Sequence, residues 1–151
     1  MLEILLVRHG RPACDYRTRI RGRDLGQWAE AYEHAPLDLT LAPPAELVAR
    51  AATIPLVVTS TIRRARVAWL LGWSRDVESL REATSRAARA ADRLVSLAST
   101  HGSVMLVGHG MLNTLICREL RRAGWRGTGS PRTYWGRVAL RSSRTAGTSS
   151  V

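Results

Sequence analysis

"LEILLVRHG", residues 2–10, is the stretch on which the fold turns. From Glu3 to about Val7 the run is rich in Leu, Ile and Val at consecutive positions. That pattern predicts a strand covered on both faces, as in a parallel sheet. Ligands of such sheets bind beyond the carboxyl ends of the strands. Arg8 and His9 are therefore expected at the rim of a cleft, with Gly10 permitting a sharp turn or a close approach to a bound group. A second run of the same kind, "SVMLVGHG" at residues 103–110, predicts a buried strand over about Val104 to Val107 that delivers His109 between two glycines.

Around these two runs, strands and helices alternate. "RPACDYRTRIRGRD" (11–24) is polar and aperiodic, a loop over the cleft. Asp24 is a predicted N-cap for a helix from Leu25 to about Glu33, with Trp28 and Tyr32 packing on one face. Pro43 and Pro44 suit the first turn of a helix that reaches about Ala52. "IPLVVTS" gives a short strand ending at Thr59 and Ser60, and "TIRRARVAWLLGW" continues as a helix that stops at Gly72. The longest helical pattern runs from Val77 to about Thr100, with Leu80, Ala83, Ala87, Ala91, Leu94 and Leu97 or Ala98 on one stripe. "MLNTLICRELRRAG" is a further helix, and a last strand is placed near Tyr134 to Leu140. The alternation implies an α/β fold, a mostly parallel sheet flanked by helices on both faces, in a single domain (1–141) followed by a flexible tail (142–151).

Composition narrows the function classes. The chain has 151 residues, one ordinary domain, and 45% of them are apolar. No apolar run approaches the roughly 20 residues of a membrane span, so no membrane partner is expected. The opening stretch is too short and too soon charged for a signal peptide. Cys14 and Cys117 stand alone, without metal-ligand spacing, so a reduced, cytoplasmic setting and no metal or other cofactor are expected. The net charge of +11 is carried by arginine without any lysine. These arginines are scattered, with no dense basic run and no aromatic platform. That favours a solvated surface or attraction of small anions over a nucleic-acid partner.

Three strand ends carry the chemistry: Arg8 and His9; Ser60 with Arg64 one helical turn on; and His109. Guanidinium groups offer forked donors that match phosphate oxygens, and helix N-termini add backbone donors. Within such an anion trap a neutral imidazole can attack phosphorus while a second, protonated one stabilises charge on the equatorial oxygens. Each piece alone has a plainer explanation, since a strand-end histidine is often a structural hydrogen-bonding group and a helical arginine is often solvated. The ordered set is harder to explain that way.

"LLVRHG", "VVTSTIRRA" and "SVMLVGHG", in that order, resemble the signature of the histidine phosphatase superfamily, the phosphoglycerate mutase-like proteins, over most of residues 1–123. The likeness is to the small bacterial phosphatase branch. It implies a three-layer α/β fold, here reduced in size, and metal-independent hydrolysis of a small phosphomonoester. By the same resemblance His9 is the phosphorylated nucleophile, His109 completes the pocket, and Arg8, Arg64, Gly10 and Ser60 hold phosphate.

One part of the family pattern is missing. The resemblance implies a general acid, usually a glutamate, after the middle arginine motif, yet the twelve residues Arg66 to Val77 contain none. Gly110 stands where the other branch has an aspartate. Glu78 and Glu82 are the candidate substitutes, followed by Asp76 and Asp15, although carboxylates at a helix start are commonly structural. Two alternatives to the hydrolase follow. One is a catalytically impaired relative that binds phosphorylated ligands; the other is an arginine-rich nucleic-acid binder whose affinity falls steeply with salt. The chain is expected as a monomer, or as a homodimer through apolar surface near Val67, Trp69, Leu70 and Trp73.

Overall fold

Successive side chains of a strand point to opposite faces, so an unbroken apolar run must be buried twice. In the computed structural model this holds for β1 (Leu2–Arg8). Ile4 and Leu6 join one hydrophobic cluster, while Leu5 and Val7 join another. The structure describes residues 1–13, 27, 31, 34–59 and 79–142. Among the described residues three further strands, β2 (Val57–Thr59), β3 (Ser103–Gly108) and β4 (Arg137–Ser142), join β1 in a sheet of order β2-β3-β1-β4. The first three strands in that order are parallel, and β4 lies antiparallel along β1. The chain is thus an α/β protein with a mixed sheet.

Among the described residues three helices pack on this sheet: α1 (Ala45–Thr53), α2 (Leu80–His101) and α3 (Gly110–Arg122). Residues 27, 31 and 34 are also helical. Val104, Leu106, Val138 and Leu140 extend the Ile4–Leu6 face, which is covered by α2 and α3. Met105 extends the Leu5–Val7 face, against Leu47 of α1 and Ile54. Glu3, the acid in this apolar strand, is 8% exposed and bonded by Arg50 from α1 at 2.7 Å.

The buried stripe of α2 is Ala83, Ala87, Ala91, Leu94 and Ala98, small side chains that let the helix lie close to its neighbours. Leu80, expected in that stripe, is half exposed because it occupies the first helical position, outside the core. The start expected at Val77 moves to Leu80 because Ser79 is the N-cap, in a capping box with Glu82. At the other end Gly102 adopts φ +79° and donates its N–H to Ala98 O at 2.7 Å. A Cβ there would meet nothing within 4 Å, so backbone conformation alone favours glycine.

The last strand differs from its expected bounds. It begins at Arg137 and runs to Ser142, which pairs with Leu2 and is buried, so the tail expected from residue 142 starts no earlier than 143. Residues 143–151, the expected helix over 61–72, Trp28, Tyr32, Cys14 and the apolar group of Val67, Trp69, Leu70 and Trp73 all lie outside the described residues. Among the described residues no helix is long and apolar enough to cross a membrane.

Candidate functional site

Parallel strands in register deliver equivalent positions side by side. Arg8 of β1 pairs with Gly108 of β3, so the next residue of each, His9 and His109, leaves the sheet at the same edge. Their ring centroids are 4.3 Å apart with 67° between the planes, edge to face. The backbone continues the ladder, with His9 N–H donating to Gly108 O at 3.0 Å.

One contact fixes the chemistry of His9. Its Nδ1 lies 2.6 Å from Gly10 O. A carbonyl oxygen can only accept, so Nδ1 carries the hydrogen, and in the neutral ring the lone pair is on Nε2. That Nε2 is buried, as is Nδ1 of His109. His109 is the N-cap of α3. The first-turn amides of α3 have no intrahelical acceptor, and the positive end of the helix dipole points the same way. No acidic residue sits in that turn to neutralise it.

Arg8 supplies a full charge. It is only 8% exposed, its Nη1 donates to Arg132 O, and its guanidinium carbon sits 3.9 Å above the centroid of the Tyr134 ring, a cation–π stack. Among the described residues Arg8 makes no ion pair with a carboxylate, and its Nε has no hydrogen-bond partner. A buried guanidinium without a counter-charge is costly unless an anion completes its surroundings. Gly110 makes room for it: a Cβ there would lie 3.0 Å from Arg8 Cδ and 2.9 Å from Pro131 O.

Gly10 is required by close packing within the chain. Its φ is not in the left-handed region; instead, a Cβ would fall 2.5 Å from Trp135 Cζ2, so the close approach is made by an indole. Trp135 is held there with φ +56°, and its Nε1 donates to Leu41 O at 2.8 Å. On the same side, Arg11 binds Asp38, which also accepts from the Thr40 hydroxyl at 2.5 Å and the Thr40 amide at 3.0 Å. Those bonds, the Thr40 hydroxyl foremost and then Arg11, hold the Asp38 carboxyl down at about 2.

Of the residues singled out in the sequence, Arg8, His9, Gly10 and His109 come together, while Ser60, Arg64, Glu78, Asp76 and Asp15 lie outside the described residues. β2 ends at Thr59, in register with Val107 of β3. Glu82 is occupied at the start of α2, where its Oε2 accepts from the Ser79 amide at 2.8 Å and from the Ser79 hydroxyl at 2.7 Å. These bonds hold its carboxyl below the usual range, the wrong direction for a group that must donate a proton near neutral pH.

Two participants were not anticipated. Asn113 is completely buried, and its Nδ2 donates to Val7 O at 2.9 Å, fastening the end of β1 to the first turn of α3. Its signal was a polar residue one turn after His109 on the apolar face that includes Leu112 and Ile116. Tyr134, whose expected place is only the beginning of a strand, lies under Arg8. No family model, curated protein or solved structure matches this chain.

Proposed function

We propose that this chain is a metal-independent phosphomonoester hydrolase of the histidine phosphatase type, working through a phosphohistidine, and that its sheet is the core of a shortened phosphoglycerate mutase-like three-layer domain. The observation that carries this is the pairing of a tautomer-fixed imidazole with a buried arginine that has no carboxylate partner among the described residues. The resemblance in the sequence motifs supports the same chemistry, and a cytoplasmic setting belongs to the proposal.

In the first step the Nε2 lone pair of His9, buried in the structure and uncovered as substrate enters, attacks phosphorus. An N–P bond forms, the ester P–O bond breaks, and the leaving alkoxide takes a proton from an acid or from water. Arg8, protonated His109 and the amides at the start of α3 hold the phosphoryl oxygens as charge spreads over them. Water then attacks phosphorus, the N–P bond breaks, and inorganic phosphate leaves with His9 restored.

The test is release of p-nitrophenol from p-nitrophenyl phosphate in excess chelator, together with labelling by a phosphoryl donor. Wild type is expected to release product and to carry an acid-labile, base-stable label on His9, and His9→Ala is expected to lose both. Equal release by His9→Ala overturns the proposal. Glu82's capping role favours a second reading, a chain that accepts a phosphoryl group without an acid to complete turnover. Label that accumulates on His9 without product turnover identifies that case.

A further inference from the structure

A cavity of about 500 Å³, within the size range of small-ligand sites, lies between α3 and the segment that precedes β4. Arg118, Arg121 and Arg122 line it from α3, and Ser130 and Arg132 line it from the opposite side. Neither His9 nor His109 is part of it. Glu119 pairs with Arg118 at 3.3 Å and with Arg122 at 2.9 Å, one carboxylate between two guanidiniums. Arg121 and Arg132 make no ion pair among the described residues; Arg121 bonds only the Gly127 carbonyl, at 3.3 Å. Four arginines therefore share one negative charge, a surplus of three positive charges around a concave surface.

Complementation of the helix dipole explains part of this. Arg121 and Arg122 sit in the last turn of α3, where cations are favoured. It does not explain Arg132, which arrives from a different segment, or the concavity between the two walls. A single phosphate would satisfy one or two guanidiniums. Spanning both walls takes a ligand with several linked anionic groups.

We propose that this cavity is a second anion site, which binds a small polyphosphate-bearing ligand through Arg118, Arg121, Arg122 and Arg132. The Ser130 hydroxyl adds a neutral donor. This site stands independently of the imidazole chemistry, although its wall adjoins that site. Arg132, which lines the cavity, presents its carbonyl oxygen to Arg8.

Titration of the full chain with tripolyphosphate at constant ionic strength, followed by amide chemical shifts, tests the proposal. The expected result is saturable shifts centred on residues 114–122 and 129–132, with affinity at least tenfold above that of orthophosphate. R121Q/R132Q is expected to lose at least tenfold in affinity. Should that pair fail to fold, Arg132→Gln alone, on an exposed side chain, is expected to lose at least threefold. Shifts confined to residues 8–10 and 109, unsaturable shifts, or an affinity unmoved by these substitutions overturn it. So does tighter binding of an RNA oligomer across the arginines outside the cavity. A failed phosphatase assay would leave these outcomes untouched, so the two proposals fail separately.

Discussion

Asn113→Ala is the perturbation that most directly probes how the imidazole pair is held. Asn113 is completely buried, and its Nδ2 donates 2.9 Å to Val7 O, two residues before His9. Removing the amide takes away one of the Val7 carbonyl's hydrogen bonds, at a cost of about 0.5–1.5 kcal/mol, and leaves a small void as well, while the ladder between β1 and β3 continues to engage that carbonyl. Two effects oppose the loss. Asn113 Oδ1 has no hydrogen-bond partner among the described residues, so deleting it relieves a desolvation penalty. Alanine is also the better helix former, by roughly 0.6 kcal/mol. The net expectation is a destabilisation of about 1 kcal/mol, which for a chain of this size lowers Tm by roughly 2–4 °C. Urea unfolding followed by circular dichroism measures the first quantity and thermal melting the second. Asn113→Asp sharpens the test, since above the carboxylate range it places a buried charge against a carbonyl. Burial raises the pKa of such a carboxyl in the folded state, so the stability of Asn113→Asp should rise as pH falls toward about 4, where the group is neutral. Asn113→Ala should show no matching rise. A Tm for Asn113→Ala at or above wild type, or an Asn113→Asp stability that is flat between pH 7 and about 4, refutes the clamp.

The other predictions concern separate parts of the site. The depressed pKa of Asp38, about 2 against an ordinary 3.8, contributes stability that is present above about pH 4 and lost as pH falls through about 2. Asp38→Asn should therefore melt below wild type at neutral pH, with the gap closing across that acid window; a gap that persists at the acid end contradicts the account in which Thr40 and Arg11 bond the ionised carboxylate. Gly110→Ala pushes a methyl to 2.9 Å from Pro131 O and 3.0 Å from Arg8 Cδ. Overpacking of that kind costs about 1–3 kcal/mol, and the displaced Arg8 should lower p-nitrophenyl phosphate turnover at least tenfold, whereas wild-type kinetics would show that the contact is relieved harmlessly. Burial pushes the Cys117 thiol up, with Arg121 opposing. In a Cys14→Ser background, native Cys117, which lines the cavity beside α3, should react with iodoacetamide more slowly than the urea-unfolded chain, and comparable rates would mean that the thiol is accessible.

The sequence made the sheet legible because β1 and β3 are buried on both faces, and double burial shows as consecutive apolar residues without needing a period. The alanine stripe of α2 was legible for a related reason: one face meets the core, and the spacing of 3.6 residues follows. Boundaries were less so. Ser79 and Glu82 have the S-x-x-E spacing of a capping box, a signal present in the sequence, and their reciprocal bonds start the helix after Ser79 and not at Val77. Ser142 carries no apolar signal, and its place in β4 depends on pairing with Leu2, at the far end of the sequence. The reason for Gly10 was hidden in the same way. Nothing local marks Trp135, which occupies the space a Cβ would need.

The imidazole pair shows how far local pattern reaches toward a site. Two strands that each end in His-Gly predict two rim histidines, but they predict a pair only if the strands are neighbours and share a register. The sequence could not supply that register. Arg8 opposite Gly108 puts His9 beside His109; displacing the pairing by one residue would turn one of the two side chains to the opposite face and separate the rings. The register is fixed far from the rings, by Ile4 and Leu6 beside Val104 and Leu106 in one core and Leu5 beside Met105 in the other. Any slip would expose or misplace both sets at once. Core packing thus sets the geometry of the rim. A core substitution such as Leu5→Ala, more than one residue from either histidine, should disturb the pair through loosened pairing even though it touches neither ring.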